Sequence, residues 1–514
     1  MPPLNEDDLL AAGYPADETL PEMLARLADL GARGITDAKY ALKLLKREFG
    51  PPPPKLFLRQ IPSPLAEAIL ASEDDKDELA NLQSVRRHMT ELLKIPVISK
   101  GAILPDACPM GGREACIPVG GAIAVANAII PSAHSSDICC SMFATFYEEI
   151  GSVGTELDAL MKSTRFGAGH RDLDQLVDDP VHDEDVWSNP FLSGLRDRTR
   201  LHMADQGDGN HFAYLGEITI GAEMLSALRL TGHDTLAASL GTTPGRKFRV
   251  LVTHHGSRGL GAHVFKRGQI AALKHTCKQL DGVPEAAAWL DARSGDGPAY
   301  WEALQYVALW TKANHRAIHR RFLECIAAVS VAEITNEHNF VWQRGDTFFH
   351  GKGATPAWRD SEGRPLLGLI PLNMAEPVLI VLGSDNSEFL SFAPHGAGRN
   401  ISRTALRRRF AEPGAREAEI ARSTAGLDIR WFSGRPDLSE TPIAYKNAAQ
   451  VKAQIASFGL AEVIGEILPL GCIMSGDSGK SWRDHEDELT PKQLRQIEHR
   501  AERRKTRNDL AGEI

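Results

Sequence analysis

Asp137 and Cys140 stand three residues apart in the segment SAHSSDICCSMF, a spacing at which one turn can aim a carboxylate and a thiolate at the same cation. In DQGDGNHFAYLGE the flanking glycines allow close backbone approach, while Asn210 and His211 offer an amide and an imidazole. His254, His255, Gly256, Ser257, Arg258, Gly259, Leu260 and Gly261 follow the strand-like stretch KFRVLVT. They read as an anion cradle with an arginine added, entering a helix at about Ala262. In SFAPHGAGRNISRTALRRRF, Gly396 and Gly398 leave room around His395, with Arg399 and Arg403 set to hold negative charge ahead of a helix. An exposed imidazole between glycines and arginines suits covalent phosphoryl or nucleotidyl transfer.

Taken alone, Cys140 reads first as a small buried hydrophobe and the Asn210–His211 pair as turn chemistry. Cys139 reads as buried too, because a disulfide between adjacent cysteines would be strained. NEHNFVW, with His338 and Asn339, and FFHGKGATPAW, with His350 and Lys352, are each structural if read singly. Together, however, these segments set His, Cys, Asp or Asn beside glycine at strand ends, where side chains converge on one cleft. His315 and His319 in NHRAIHRRF lie four apart as in zinc proteases, but Arg316 replaces the general-base glutamate, and a structural role is expected.

The elements that must position these groups lie between about 95 and 476, where β-branched runs alternate with glycine loops and later helices, without repeats. This predicts one mixed α+β domain. Ahead of it, Leu20, Met23, Leu24 and Leu27, then Tyr40, Leu42, Leu44 and Leu45, recur near helical spacing and end at Gly50 and Pro51 to Pro54. Residues 1–60 therefore read as a helical extension with a stiff proline-rich linker, and 61–476 as the catalytic domain, entered through the charged segment SEDDKDELANLQSVRRHMTELL. Residues 477–514 read as a charged tail whose helix opens at Thr490 and Pro491 and runs to about Leu510. Its arginines outnumber its glutamates, which fits a solvated face or contact with phosphates.

With 514 residues, 43% of them hydrophobic, the chain buries a large core, which excludes a disordered tail or a minimal binding module. Lys plus Arg total 58 against 67 Asp plus Glu, so the net charge of -9 excludes polyanion binding through the overall field and leaves a local basic groove. The seven cysteines are odd in number and unevenly spread, unlike a secreted disulfide framework, and point to a reducing cytoplasm. The acidic start has no signal-like apolar run, and no stretch reaches the roughly 18 apolar residues that span a bilayer. A soluble protein without a membrane partner is expected.

In order along the chain, these segments resemble the RtcB family of RNA-splicing ligases, whose motifs read approximately PDVH, GVDIGCGM, GGGNHFIE, HSGSRGLG, HN, HRKGAT, PGSMG and HGAGRxMSR, with a terminal KG. The resemblance covers most of residues 95–476. It implies an α+β RtcB-like catalytic domain that joins RNA ends bearing a 2′,3′-cyclic phosphate or 3′-phosphate to 5′-hydroxyl ends, in RNA repair or tRNA splicing. It further implies that Asp137, Cys140, His211, His254 and His338 bind two manganese ions and that GTP guanylylates His395. Asn210, Phe212, Gly396, Gly398, Arg403 and Tyr445 match positions around the nucleotide, and Arg399, Arg258, Lys352 and Asp106 match positions needed for catalysis. RNA is the implied partner, and an archease-like activator belongs to the same picture.

The chain departs from this pattern mainly around the nucleotide. Cys108 replaces the histidine of PDVH, in a longer loop; Tyr214 replaces the glutamate of NHFIE; Leu372, Asn373, Met374 and Ala375 replace the rest of PGSMG. Ser475 falls where the terminal lysine would stand, with Lys480 five residues on. All the metal ligands and the HGAGR loop are kept, so a divergent paralogue with working metal chemistry is expected. The alternatives are a metal-dependent 2′,3′-cyclic phosphodiesterase that has lost ligation and a non-catalytic RNA-binding paralogue. A thiolate with three imidazoles also suits zinc better than manganese.

Overall fold

In a mixed α+β fold, runs such as Val378–Gly383, buried at every position, must be covered on both faces. The computed structural model describes residues 2–14, 19–52, 56–72, 75–110, 114–167, 169–280 and 282–477. Its larger sheet runs, neighbour by neighbour, through Ala332–Glu337, Ser141–Tyr147, Lys247–His255, Phe212–Thr219, Ala461–Met474, Val378–Gly383 and Leu367–Pro371. Those pairs are antiparallel, and Asp428–Trp431 adds a parallel partner to the end of Ala461–Met474. A second sheet orders Leu65–Glu67, Ile98–Cys108, Val119–Ala126, Thr347–Lys352 and Asn339–Arg344.

Two short connections join the sheets. His338 separates Ala332–Glu337 of the first sheet from Asn339–Arg344 of the second. Beyond Lys352, Gly353 leads into Ala354–Pro356, which pairs with Phe392–Pro394. The Asn339 side chain accepts the Gly353 N–H at 2.7 Å, and its carbonyl accepts the Cys139 N–H at 2.7 Å. The segments carrying Cys139, Asn339 and Gly353 are thus tied together by one backbone and one side-chain hydrogen bond.

Beneath the larger sheet lies the helix Asp296–Ile326. It carries His315 and His319 inward, and both rings find hydroxyl partners. Thr253 Oγ1 lies 2.7 Å from His315 Nδ1 and 2.8 Å from His319 Nε2, while Ser141 and Thr145 bond the remaining nitrogens at 3.1 and 2.7 Å. The His255 ring stacks on His315 at 3.5 Å between centroids. Burial drives the His319 pKa down to about 3, so this ring is neutral. The pair is a latch between helix and sheet, as the missing glutamate suggests.

The N-terminal helices form at Leu20–Ala32 and Ala38–Phe49, preceded by Glu6–Ala11, and share a core around Leu9, Leu27 and Leu45. Two expectations shift. The stretch KFRVLVT continues as strand through His255, so His254 and His255 are strand residues and not loop residues. The next helix spans Arg258–Thr276, four residues ahead of Ala262, and opens on Arg258 at φ +54°. Pro53 and Pro54, Lys480 and the Thr490–Leu510 helix lie outside the described residues. Among the described residues no helix is long and apolar enough to cross a membrane, and the seven cysteines are free thiols.

Replacing Thr253 by Val keeps its shape and removes the hydroxyl shared by both latch histidines. The expected result is a loss of about 1–3 kcal/mol of stability in urea unfolding, with an unchanged denaturant slope.

Candidate active site

Strand register assembles the donors. Met142 lies opposite His254, and His254 opposite Phe212. Cys140 and His211 immediately precede the strands that begin at Ser141 and Phe212, and the His338 N–H donates to the Cys140 carbonyl at 2.9 Å. The four side chains therefore form one row at the end of the larger sheet. Asp137 joins them from the preceding turn, which passes so close to the next strand that a Cβ on Gly256 would come within 2.0 Å of Asp137 Oδ1. Cys139, between two of these ligands, sits at φ +58°, and such strained positions in non-glycine residues gather at functional sites.

The donor atoms form two groups, Cys140 with His254 and His338, and Asp137 with Cys140 and His211, each lying within 4.8 Å of one another. Cys140 Sγ is 3.2 Å from His254 Nε2 and 3.7 Å from His211 Nε2; the Nε2 atoms of His254 and His338 are 3.1 Å apart, and His211 Nε2 is 2.8 Å from Asp137 Oδ2. Donors around a tetrahedral cation bound by nitrogen and sulfur are separated by roughly 3.3–3.6 Å. His254 Nδ1 faces the Asn210 carbonyl at 3.1 Å, which fixes the proton there and turns the Nε2 lone pair into the cluster. Burial lowers the His254 pKa to about 3, and burial likewise keeps His338 neutral. Burial and Asp137 push the Cys140 thiol well up, so without a cation it keeps its proton. Unprotonated imidazole nitrogens facing each other and a thiol fit divalent cations, with Cys140 shared and its proton released on binding.

His395 follows the strand Phe392–Pro394 and faces the same cleft. Its Nδ1 lies 2.5 Å from Asp106 Oδ2 and 3.0 Å from the Gly353 carbonyl, so the proton resides on Nδ1 and Nε2 presents a lone pair. The His395 and His338 rings are 4.9 Å apart. The side chain is 16% exposed, so the freely exposed imidazole expected from its glycines is instead held partly inside. Asp106 is fully buried near the end of Ile98–Cys108, and Gly398, at φ +71°, lets the HGAGR loop cross it. A Cβ on Gly398 would come within 2.0 Å of the Asp106 carbonyl oxygen.

Arg399 and Arg403 are organised by a residue that the sequence did not reveal, Glu440. Its buried carboxylate accepts from Arg403 at 2.6 and 3.0 Å, from Arg399 at 3.4 Å and from the Tyr445 hydroxyl at 2.8 Å. In SETPIAYKN only its position five before Tyr445 could have hinted at this.

A cleft of about 550 Å³ unites most of these groups. Asp137, Cys140, Asn210, Phe212, His254, His338, Lys352, His395, Gly396, Gly398, Arg399, Arg403 and Tyr445 line it. Lys352 is 5% exposed at its strand end, and burial lowers its pKa. Asp106, His211 and Arg258 are not on that lining. Arg258 does not form the expected open cradle: its Nη2 donates to the Gly167 carbonyl at 3.1 Å and lies 3.7 Å from buried Asp205. It packs against the far side of His211, since a Cβ on Gly207 would touch both side chains. Tyr214, Leu372, Asn373 and Met374 do line the cleft, whereas Ser475 is buried with its carbonyl accepting from Ser433.

Because Cys140 belongs to both donor groups, Cys140→Ala is expected to lower divalent-metal binding more than His338→Ala or His211→Ala does. Metal content per chain after equilibrium dialysis against limiting metal reads the difference.

A family model described as tRNA-splicing ligase RtcB matches residues 185–475. An RNA-splicing ligase RtcB2 of Escherichia coli is 26% identical over 419 residues, 79% of this chain and 96% of that protein. A tRNA-splicing ligase RtcB of Thermococcus kodakarensis is 24% identical over 435 residues, 73% of this chain and 88% of its own length. An RNA-splicing ligase RtcB of Mycobacterium tuberculosis is 29% identical over 293 residues, 52% of this chain and 63% of its own. The family match spans more than half of the 514 residues and takes in His211, His254, His338 and the His395 loop, so the chain belongs to the RtcB family.

Proposed function

We propose that this protein is an RNA ligase that joins a 3′-phosphate or 2′,3′-cyclic phosphate end to a 5′-hydroxyl end, using GTP, two manganese ions and covalent attachment of GMP to His395. The observation that carries this reading is the His395 ring, with Nδ1 tied to Asp106 and its centroid 4.9 Å from that of the His338 ring. The relatives named as RNA-splicing ligases support the same class of reaction. Residues 61–476 are taken as the catalytic domain, flanked by the N-terminal extension and the charged tail. RNA ends as substrates, an archease-like activator and a cytoplasmic setting belong to this reading.

Bound cations would neutralise phosphate charge and polarise the phosphorus under attack. His395 Nε2 attacks the α-phosphorus of GTP, a P–N bond forms, and the bond to the β-phosphate oxygen breaks as pyrophosphate leaves. Asp106 holds the ring in the reactive tautomer and offsets the positive charge that this step places on it. A 3′-phosphate oxygen then takes GMP, which returns the imidazole to its neutral form. The 5′-hydroxyl attacks that activated phosphate, GMP leaves and the hydroxyl proton is lost; a cyclic end takes up one water beforehand. Arg399 and Arg403, fixed by Glu440, present positive charge to these phosphates. Because the thiolate-containing donor set ranks zinc above manganese, metal retained in purification does not identify the working ion.

Incubation with manganese and α-phosphate-labelled GTP is expected to give a covalent adduct that vanishes in His395→Ala and forms roughly 10²–10⁴-fold more slowly in Asp106→Asn. Ligation of an RNA with a cyclic phosphate end should disappear in His395→Ala and slow along with the adduct in Asp106→Asn. An adduct that survives His395→Ala overturns the assignment.

A further inference from the structure

Away from the histidines, the cleft floor is a face of the larger sheet. Phe212 and Tyr214 are two apart on one strand and project to the same side. Met474 and Cys472 lie opposite them in register. All four line the cleft, as do Leu372 and Met374 in the turn that leaves the edge strand Leu367–Pro371. The Phe212 ring lies 5.2 Å from that of His254, so this apolar floor begins beside the metal ligands. Phe212 is the half-buried member of this face, the others being 1–6% exposed, so a planar base attached to a phosphate at His395 would stack chiefly on the Phe212 ring.

The polar groups at this end are few and mostly occupied. The Tyr214 hydroxyl donates to the Ile467 carbonyl at 2.9 Å. Asn373 Oδ1 accepts the Ala375 N–H at 2.9 Å, which leaves its Nδ2 to donate. Among the described residues the carboxylates that line the cleft are Asp137, bonded to His211, and Glu440, bonded to Arg399, Arg403 and Tyr445. Guanine differs from adenine by its N1 and N2 donors and its O6 acceptor, and a free carboxylate, which accepts from both donors at once, reads those donors most strongly. A single amide donor such as Asn373 Nδ2 can be met by N3 or N7, which both purines carry, so it does not by itself select guanine.

Resting on the nucleotidyl-transfer reading above, we infer that this cleft holds a purine by stacking and apolar burial without reading its pairing edge, so that ATP as well as GTP serves as nucleotidyl donor. With ATP the same bonds change: His395 Nε2 bonds the α-phosphorus, and pyrophosphate leaves with the electron pair of the broken P–O bond. An apolar pocket separates similar ligands by about 10–200-fold, whereas a site built to hydrogen-bond the distinguishing group reaches roughly 10⁴-fold or more.

The test compares adduct formation by the full-length protein with manganese and α-phosphate-labelled GTP or ATP, each supplied alone at the same concentration. Rates within about 10²-fold of each other are expected. A larger preference for GTP overturns this inference and leaves nucleotidyl transfer standing; no adduct from either triphosphate defeats both. Asn373→Asp keeps the acceptor for Ala375 and adds the missing carboxylate, and should move the ratio toward GTP by about 10-fold or more. A ratio that this substitution leaves unmoved places the base off this face and also overturns the inference.

Discussion

The thiol of Cys140 stands 3.2 Å from one imidazole and 3.7 Å from another that belongs to a different donor group. That shared position constrains everything around it. Both groups close only if the strands beginning at Ser141 and Phe212 keep their pairing with Lys247–His255, because slipping either by one residue turns its side chains to the opposite face. The large apolar core beneath and above the sheet therefore fixes register, and register fixes the chemistry. The buried latch of His315 and His319 acts at the same level, holding Thr253 one residue from His254.

Much of the site was legible because its residues advertise local constraints. Glycines at 256, 396 and 398 mark places where the backbone passes within contact distance of Asp137, Pro371 or Asp106, and the polar residues beside them are the ones brought together. The α+β character and the N-terminal helices followed from apolar periodicity. Which sheet each strand joins did not, since continuous apolar runs such as VLIVLG carry no information about their neighbours.

Glu440 is not legible in the sequence for a related reason. Its partners Arg399 and Arg403 are 41 and 37 residues away, and a buried carboxylate is recognised only once the charges it offsets are in place. Arg258 shows the converse. Its glycine-rich surroundings suggest an anion cradle, but the early helix start directs the guanidinium toward Gly167 and Asp205, against the back of His211. Local composition reports that a backbone turns sharply, not which way the side chain then faces.

Asn339 gives the arrangement its mechanical character. Its carbonyl binds the backbone of Cys139, its side chain binds Gly353, and the Gly353 carbonyl lies 3.0 Å from His395 Nδ1. A short relay of bonds thus runs from the thiol-bearing turn to the imidazole across the junction of the two sheets. The two halves of the chemistry cannot breathe apart like jaws without breaking that relay, so the span between them is a rigid gauge.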